Sequence, residues 1–237
     1  MNIRNPLGFL LLLFFSVSIN GLVANAYAGN VVLPVDPVVL TPLGNFEQYG
    51  YYTFREDMRK CASPMCGGIF VKSVNRNLTR CPDGRLQPEC YIGTVNNPNA
   101  IDLSHAALLR GVVRPLLFSN FANFGRFELK SAFRPVTSHL GAGQFVGLES
   151  NGRACITSPC FSYNQYVLNS DTFRVISGLD LTSVKATDAV LQTIWSGFAN
   201  GKVIIAAGHN KKVQELAGTG ITFVANQLYL PIKPSLK

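Results

Sequence analysis

The sequence has 237 residues, and its 21 Lys and Arg against 13 Asp and Glu give a formal net charge of +8. This length is enough for one large domain, or for two closely packed halves, with a full-sized hydrophobic core. The basic residues are scattered along the chain instead of gathered into one run. The composition therefore predicts a solvated basic surface and argues against a nucleic-acid-binding protein.

The first 28 residues have the pattern of an export signal. Arg4 precedes an apolar block over residues 7–19, and Ala26 and Ala28 stand where signal peptidase reads small side chains. The block is shorter than the roughly 20 residues that span a bilayer, and no later segment is both long enough and uncharged. We expect a signal peptide over residues 1–28, cleaved after Ala28, and a secreted or periplasmic protein without a membrane span.

Residues 29–48 contain three prolines and are predicted to form an extended lead-in to a single domain over residues 49–237. The domain opens with YGYYTF at residues 49–54, which is typical of a β-strand. Its tyrosines, Tyr49, Tyr51 and Tyr52, are also the best candidates for a binding surface, because exposed tyrosines provide stiff amphipathic contact area.

Six cysteines follow, and in an oxidising compartment an even number predicts a disulfide framework. A zinc site is the competing interpretation of the first four, but the step from Cys81 to Cys90 is too long for a usual ligand pair, so no metal is expected. The cysteines are Cys61, Cys66, Cys81, Cys90, Cys155 and Cys160.

The sequence also repeats itself. The stretch RKCASPMCGGIFVKSVN (59–75) is similar to RACITSPCFSYNQYVLN (153–169), with Arg59, Cys61, Cys66 and Asn75 recurring 94 positions later. Only two cysteines belong to the second copy, so the repeat selects the pairs 61 with 66, 81 with 90 and 155 with 160. The main alternative links 61 to 90 and 66 to 81.

Each copy is predicted to contain one helix between pairs of strands. IDLS at 101–104 matches LDLT at 179–182, and the apolar residues that follow have helical spacing in both copies. The expected unit is strand, strand, helix, strand, strand, in copy one (49–150) and copy two (151–237). The helix of copy one begins at Asp102 or Ser104 and presents Val112, Val113, Leu116 and Leu117 on one face. That of copy two covers residues 187–198, with Asp188 as its cap and Trp195 in the core. The runs GIFVKSVN, RFELKSAF and QFVGLES are among the expected strands of copy one. The predicted fold class is therefore α+β, internally duplicated and disulfide-stapled, with mostly antiparallel sheet.

The cysteine-containing stretches, with LTRCPDGRLQPECYIGTVN between them, resemble an uncharacterised family of bacterial secreted proteins, a domain of unknown function. The resemblance covers about residues 49–231. It implies bacterial origin and export, and it implies no activity or site.

No catalytic residues or cofactor are predicted. His105, His139 and His209 belong to no catalytic or metal-binding motif, and we expect structural or surface roles for them. The favoured function is a binding module for an unknown protein or surface ligand. One form of it is an inhibitor that presents Asp83 and Arg85 on the loop closed by Cys81 and Cys90, since a constrained loop loses little entropy on binding. The alternative is an exported hydrolase with a site assembled from distant residues.

Overall fold

The computed structural model describes residues 49–63, 65–116 and 124–234. The expected signal peptide (1–28) and lead-in (29–48) lie outside these residues. Within the described chain, no helix has the length and apolar character needed to cross a membrane.

Strands make up most of the regular structure of the described chain. In chain order they are β1 (Gly50–Glu56), β2 (Ile69–Ser73), β3 (Thr79–Arg80), β4 (Leu86–Gln87), β5 (Cys90–Ile92), β6 (Thr94–Asn96), β7 (Leu108–Arg114), β8 (Arg126–Pro135), β9 (Gln144–Ser150), β10 (Tyr163–Val167), β11 (Phe173–Ile176), β12 (Gly178–Asp180), β13 (Ile204–Glu215) and β14 (Gly218–Pro231). A 3-10 turn (Thr182–Val184) and the helix α1 (Asp188–Ala199) lie between β12 and β13.

Twelve of these strands form one sheet with the order β11-β10-β9-β13-β14-β8-β7-β1-β2-β5. Neighbours along this path are antiparallel, while β6 and β12 add to β8 and β14 in parallel. The remaining strands, β3 and β4, form a separate hairpin. The protein is therefore mostly antiparallel β-sheet, with 47% of the described residues in strands and 8% in helices, and the predicted α+β class is wrong.

The error lies in the first copy, where the predicted helix is the strand β7. Leu108 and Leu109 are adjacent and both 0% exposed, because both faces of this strand are covered. In such a strand neighbouring apolar residues mimic one face of a helix. The predicted helical face included Val112 and Val113, whose β-branched side chains favour a strand. Asp102 accepts a hydrogen bond from the Ser104 amide in a local turn instead of opening a helix. The repeated strand-strand-helix unit is accordingly wrong.

The helix predicted at residues 187–198 is present as α1. Thr187 is its N-cap residue and Asp188, the predicted cap, is its first helical residue. Ile194 and Phe198 face the core, whereas Trp195, which we expected to fill it, has 43% of its surface exposed. The helix covers one face of the sheet near β9 and β13.

Two sets of six strands follow the same pairing pattern. We call β1, β2, β5, β6, β7 and β8 the N-terminal set, and β9 to β14 the C-terminal set. Tyr51 on β1 pairs with Arg110 on β7, and Phe145 on β9 pairs with Ala207 on β13. From these registers each position of one set has an equivalent in the other, and Tyr51 is equivalent to Phe145.

The two sets join through β8 and β14 at the centre of the sheet. Pro135 pairs with Tyr229, and Phe133 pairs with Pro231. Phe133 on β8 is equivalent to Tyr229 on β14, because they pair with the equivalent residues Leu108 and Ile205. The pairing of β8 with β14 is therefore symmetrical about the pair Arg134 and Leu230. The strand order is thus the same when read from either edge of the sheet.

Three clusters of buried side chains form the core. One packs under α1 and includes Ile194, Phe198 and Phe223. A second lies within the N-terminal set and includes Phe127 and the Cys81–Cys90 disulfide. The third contains residues of both sets, among them Tyr51, Leu108, Phe145, Ile205 and Tyr229. This third cluster ties the two sets together.

A pair of asparagines reinforces this junction. The Asn169 side chain accepts the Tyr51 amide at 2.7 Å and donates to the Tyr51 carbonyl at 2.7 Å. Asn75, 94 positions earlier, makes the equivalent bonds to Phe145. Its side chain accepts a hydrogen bond from the Phe145 amide at 2.8 Å and donates one to the Phe145 carbonyl at 2.7 Å. Each asparagine therefore satisfies the backbone of a strand in the other set.

Candidate anion-binding face

One face of the N-terminal set carries cations and aromatic rings. Side chains of a strand alternate between faces, and directly paired residues of neighbouring strands share a face. Arg55 pairs with Phe70, which pairs with Tyr91. Two residues along, Thr53 pairs with Lys72, and a further two along, Tyr51 pairs with Arg110. The basic–aromatic face, as we name it, comprises Tyr49, Tyr51, Arg55, Arg59, Phe70, Lys72, Tyr91, Arg110 and Lys130.

Two arginines stack on the aromatic residues at one end of this face. The Arg55 guanidinium carbon lies 4.0 Å from the Phe70 ring centroid. Arg59 lies 5.4 Å from Phe70 and 5.1 Å from the Tyr91 centroid, and the two ring centroids are 5.4 Å apart. Stacking of a guanidinium on a ring is favourable and leaves its N–H groups at the edge for hydrogen bonds.

Carboxylates hold these arginines in place. Arg55 donates to both oxygens of Glu89, with Nε 3.2 Å from Oε2. Arg59 donates to both oxygens of Asp57 at 2.8 and 2.9 Å, and these bonds hold the pKa of Asp57 below its usual value. The bidentate geometry fixes both guanidinium planes over the rings, so this end of the face is preorganised.

The other end of the face brings two cations to one tyrosine. The Arg110 guanidinium carbon lies 5.5 Å from the Tyr49 ring centroid and 5.7 Å from that of Tyr51, and Lys130 Nζ lies 6.0 Å from Tyr49. Burial raises the pKa of Tyr51, with Arg110 acting in the opposite direction. The whole face thus has five cations against the two carboxylates Asp57 and Glu89, and its potential is positive.

The equivalent positions of the C-terminal set carry different residues. The pair Arg55 and Phe70 corresponds to the pair Glu149 and Asn164. The pair Thr53 and Lys72 corresponds to the pair Gly147 and Tyr166. Ala207 stands at the position of Arg110 and Asn226 at that of Lys130. The same backbone accommodates both sets of side chains, so the fold does not require the cations of the N-terminal set.

The tyrosines predicted as a binding surface lie on two different faces of the sheet. Tyr49 and Tyr51 belong to the basic–aromatic face, and Tyr51 is only 5% exposed. Tyr52 points to the opposite face, where its ring meets Phe127 edge-on at 5.4 Å. Sequence reasoning missed Lys72, Arg110 and Lys130, which belong to three strands. The sequence shows the alternation along β1 and β2, which could have indicated part of this face. It does not show that β1 pairs with β7.

Asp83 and Arg85 lie apart from these tyrosines at the exposed tip of the β3–β4 hairpin. The Arg85 amide donates to Asp83 at 3.0 Å, and their side chains form an ion pair at 3.7 Å. This tip is closed by the disulfide between Cys81 and Cys90. The other two disulfides join Cys61 to Cys66 and Cys155 to Cys160, so the three pairs are those that the repeat selects.

Among the described residues, no histidine forms a hydrogen bond or an ion pair with a carboxylate. His139 lies 3.0 Å from Thr137 Oγ1 and 2.8 Å from the Asn226 carbonyl oxygen. His105 lines an open groove of about 510 Å³ together with Arg134, Thr137 and Ser138. The described part of the chain contains no group of three or more His, Cys, Asp or Glu side chains suited to a metal ion.

Comparison with known proteins gives a family and no activity. No curated protein matches the chain, and no solved structure matches it. One family model matches residues 50–235, which include all fourteen described strands. The chain therefore belongs to the family described as Domain of unknown function (DUF6748).

Proposed function

We propose that this protein is an exported, disulfide-stabilised binding module that recognises an anionic partner through its basic–aromatic face. The observation that carries the proposal is the contrast between the two strand sets. Arg55, Lys72, Arg110 and Lys130 occupy positions where the C-terminal set has Glu149, Tyr166, Ala207 and Asn226.

Two physical features support binding at this face. Arg55 and Arg59 are held by bidentate bonds and by stacking, so these side chains lose little entropy when a partner binds. Its excess of cations attracts anions over a range of about 8–10 Å at physiological salt. The three disulfides and the absence of a spanning helix in the described chain are compatible with export, and cleavage after Ala28 belongs to the proposal.

The inhibitor form of the prediction has less support. The tip with Asp83 and Arg85 is small, and its two charges pair with each other. The groove at His105 gives no support to the hydrolase alternative, because no carboxylate lines it.

Binding to immobilised dextran sulfate tests the proposal. The face variant Lys72→Tyr, Arg110→Ala, Lys130→Asn takes the residues of the equivalent positions, which the fold tolerates. We expect it to bind about tenfold or more weakly than the native chain at low salt. The matched control Lys185→Asn, Lys202→Asn, Lys212→Ala removes three exposed cations of the other half. Equal losses in both variants would mean that net charge alone attracts the polymer, and the proposal would fail.

A further inference from the structure

The basic–aromatic face extends across several neighbouring strands of the sheet. From Tyr91 on β5 to Lys130 on β8 there are four strand spacings, about 19 Å in all. Lys72 and Arg110 lie between these ends on β2 and β7. One small anion reaches only one or two of these groups. A ligand that uses the whole face is therefore long and carries repeated negative charges.

Arginine side chains compete with nucleobases for the Phe70 and Tyr91 rings of the face. Arg55 lies over Phe70 at 4.0 Å, and Arg59 lies near both Phe70 and Tyr91. Tyr91 also meets Phe124 edge-on at 6.3 Å. Single-stranded nucleic acids gain much of their affinity by stacking bases on exposed rings. Because guanidinium groups cover these rings, the face favours recognition of anionic groups over bases.

An acidic peptide fits this face less well than a sugar polymer. The backbone donors and acceptors of β1, β2 and β7 are used within the sheet, so a peptide lying across their side chains finds no strand edge for its own amides. It also loses backbone entropy on being extended. A polysaccharide has no amide ladder to satisfy and presents hydroxyl groups that bond to water or to guanidinium edges.

We infer that the ligand of the basic–aromatic face is a linear acidic polysaccharide with carboxylates at regular intervals. It crosses the strands from Arg55 and Arg59, past Lys72, to Arg110 and Lys130. Ligand carboxylates bind the N–H groups of Arg55 and Arg59 that Glu89 and Asp57 leave unused, through charge-assisted hydrogen bonds, and the lysines contribute point charges. This inference rests on the proposed function and adds the class of ligand.

Calorimetric titration of the full chain with four probes tests the ligand class. The probes are an oligogalacturonate of eight sugars, one of two sugars, an octaglutamate peptide and an oligothymidylate of eight nucleotides, all at one low salt concentration. We expect the eight-sugar probe to bind at least tenfold more tightly than the two-sugar probe and more tightly than the peptide or the oligonucleotide. The face variant defined above should lose this preference, and its matched control should keep it.

The other outcomes separate this inference from the proposed function. Equal affinity for the long and short sugars, or tighter binding of the peptide or the oligonucleotide, would overturn the polysaccharide and leave the anion-binding face in place. Failure of all four probes to bind would overturn the proposed function as well.

Discussion

At the scale of residues, the side chains of Asn75 and Asn169 each bond to the backbone of a strand in the opposite set. Both have left-handed backbone conformations, with φ of 57° and 60°, which asparagine tolerates better than most residues. A single side-chain amide carries donors and an acceptor, so it satisfies both the backbone N–H and the backbone C=O of one residue in the opposite set. The sequence showed that the two residues recur 94 positions apart. It could not show their role, because Asn169 and Tyr51 are 118 residues apart.

Replacing Asn169 with Ala should destabilise the protein by about 2–4 kcal/mol. The Tyr51 amide loses its partner, and alanine disfavours the left-handed conformation. Asn169→Gly should cost about 1 kcal/mol less, since it removes the bonds without the backbone penalty. Urea unfolding of both variants provides the measurement, with the exposed neighbour substitution Asp171→Ala as the control. Equal costs for the alanine and glycine variants would contradict the backbone contribution.

At the scale of elements, local patterns predicted most strands and one helix correctly. The alternation in GIFVKSVN and the runs RFELKSAF and QFVGLES correspond to β2, β8 and β9. The helix predicted in the first copy is wrong. Its apolar stripe included the adjacent Val112 and Val113, which lie in the strand β7, and neighbouring apolar residues also occur in a strand with both faces covered. Which strands pair, and hence which cations share a face, depends on contacts far apart in sequence.

Both sets share a β-bulge next to a glycine. The register shifts between Arg110 and Gly111 in one set and between Ala207 and Gly208 in the other. A Cβ on Gly208 would overlap the Val224 carbonyl oxygen, and one on Gly111 would overlap that of Glu128. The backbones of neighbouring strands therefore approach too closely at this point for any other residue.

Gly208→Ala should destabilise the protein by about 2–4 kcal/mol, because backbone atoms must move to make room. Gly147→Ala on β9 is the matched control. Its Cβ would lie 2.9 Å from Val203 Cγ1, the end of a side chain that is 42% exposed and free to turn. We expect the control to cost less than half as much in thermal or urea unfolding. A control as damaging as Gly208→Ala would show that the bulge has no special constraint.

At the scale of the whole molecule, the two strand sets depend on each other. The sheet is continuous through β8 and β14, and the third core cluster takes residues from both sets. We propose that the sets descend from one duplicated unit whose boundary falls near residue 143, because β9 pairs as β1 does. The boundary after residue 150, expected from the cysteines, would place β9 in the first copy.

Separate expression of residues 29–143 and 144–237 should yield chains without cooperative unfolding. Each would expose its half of the third core cluster. Each would also expose the edge of β8 or β14 that the other of these two strands now covers. Circular dichroism during urea titration of each half and of their mixture gives the measurement. Two halves that unfold cooperatively alone, each about as stable as the whole chain, would show independent domains.

Only one of the two equivalent faces of the molecule is expected to bind the ligand. Backbone amide chemical-shift mapping, with the eight-sugar oligogalacturonate added to the full chain, compares both faces in a single experiment. We predict shifts centred on β1, β2 and β7, near Arg55, Lys72 and Arg110, with the equivalent amides of β9, β10 and β13 unchanged. Shifts of equal size in both sets, or shifts confined to the hairpin tip or the groove at His105, would contradict the claim.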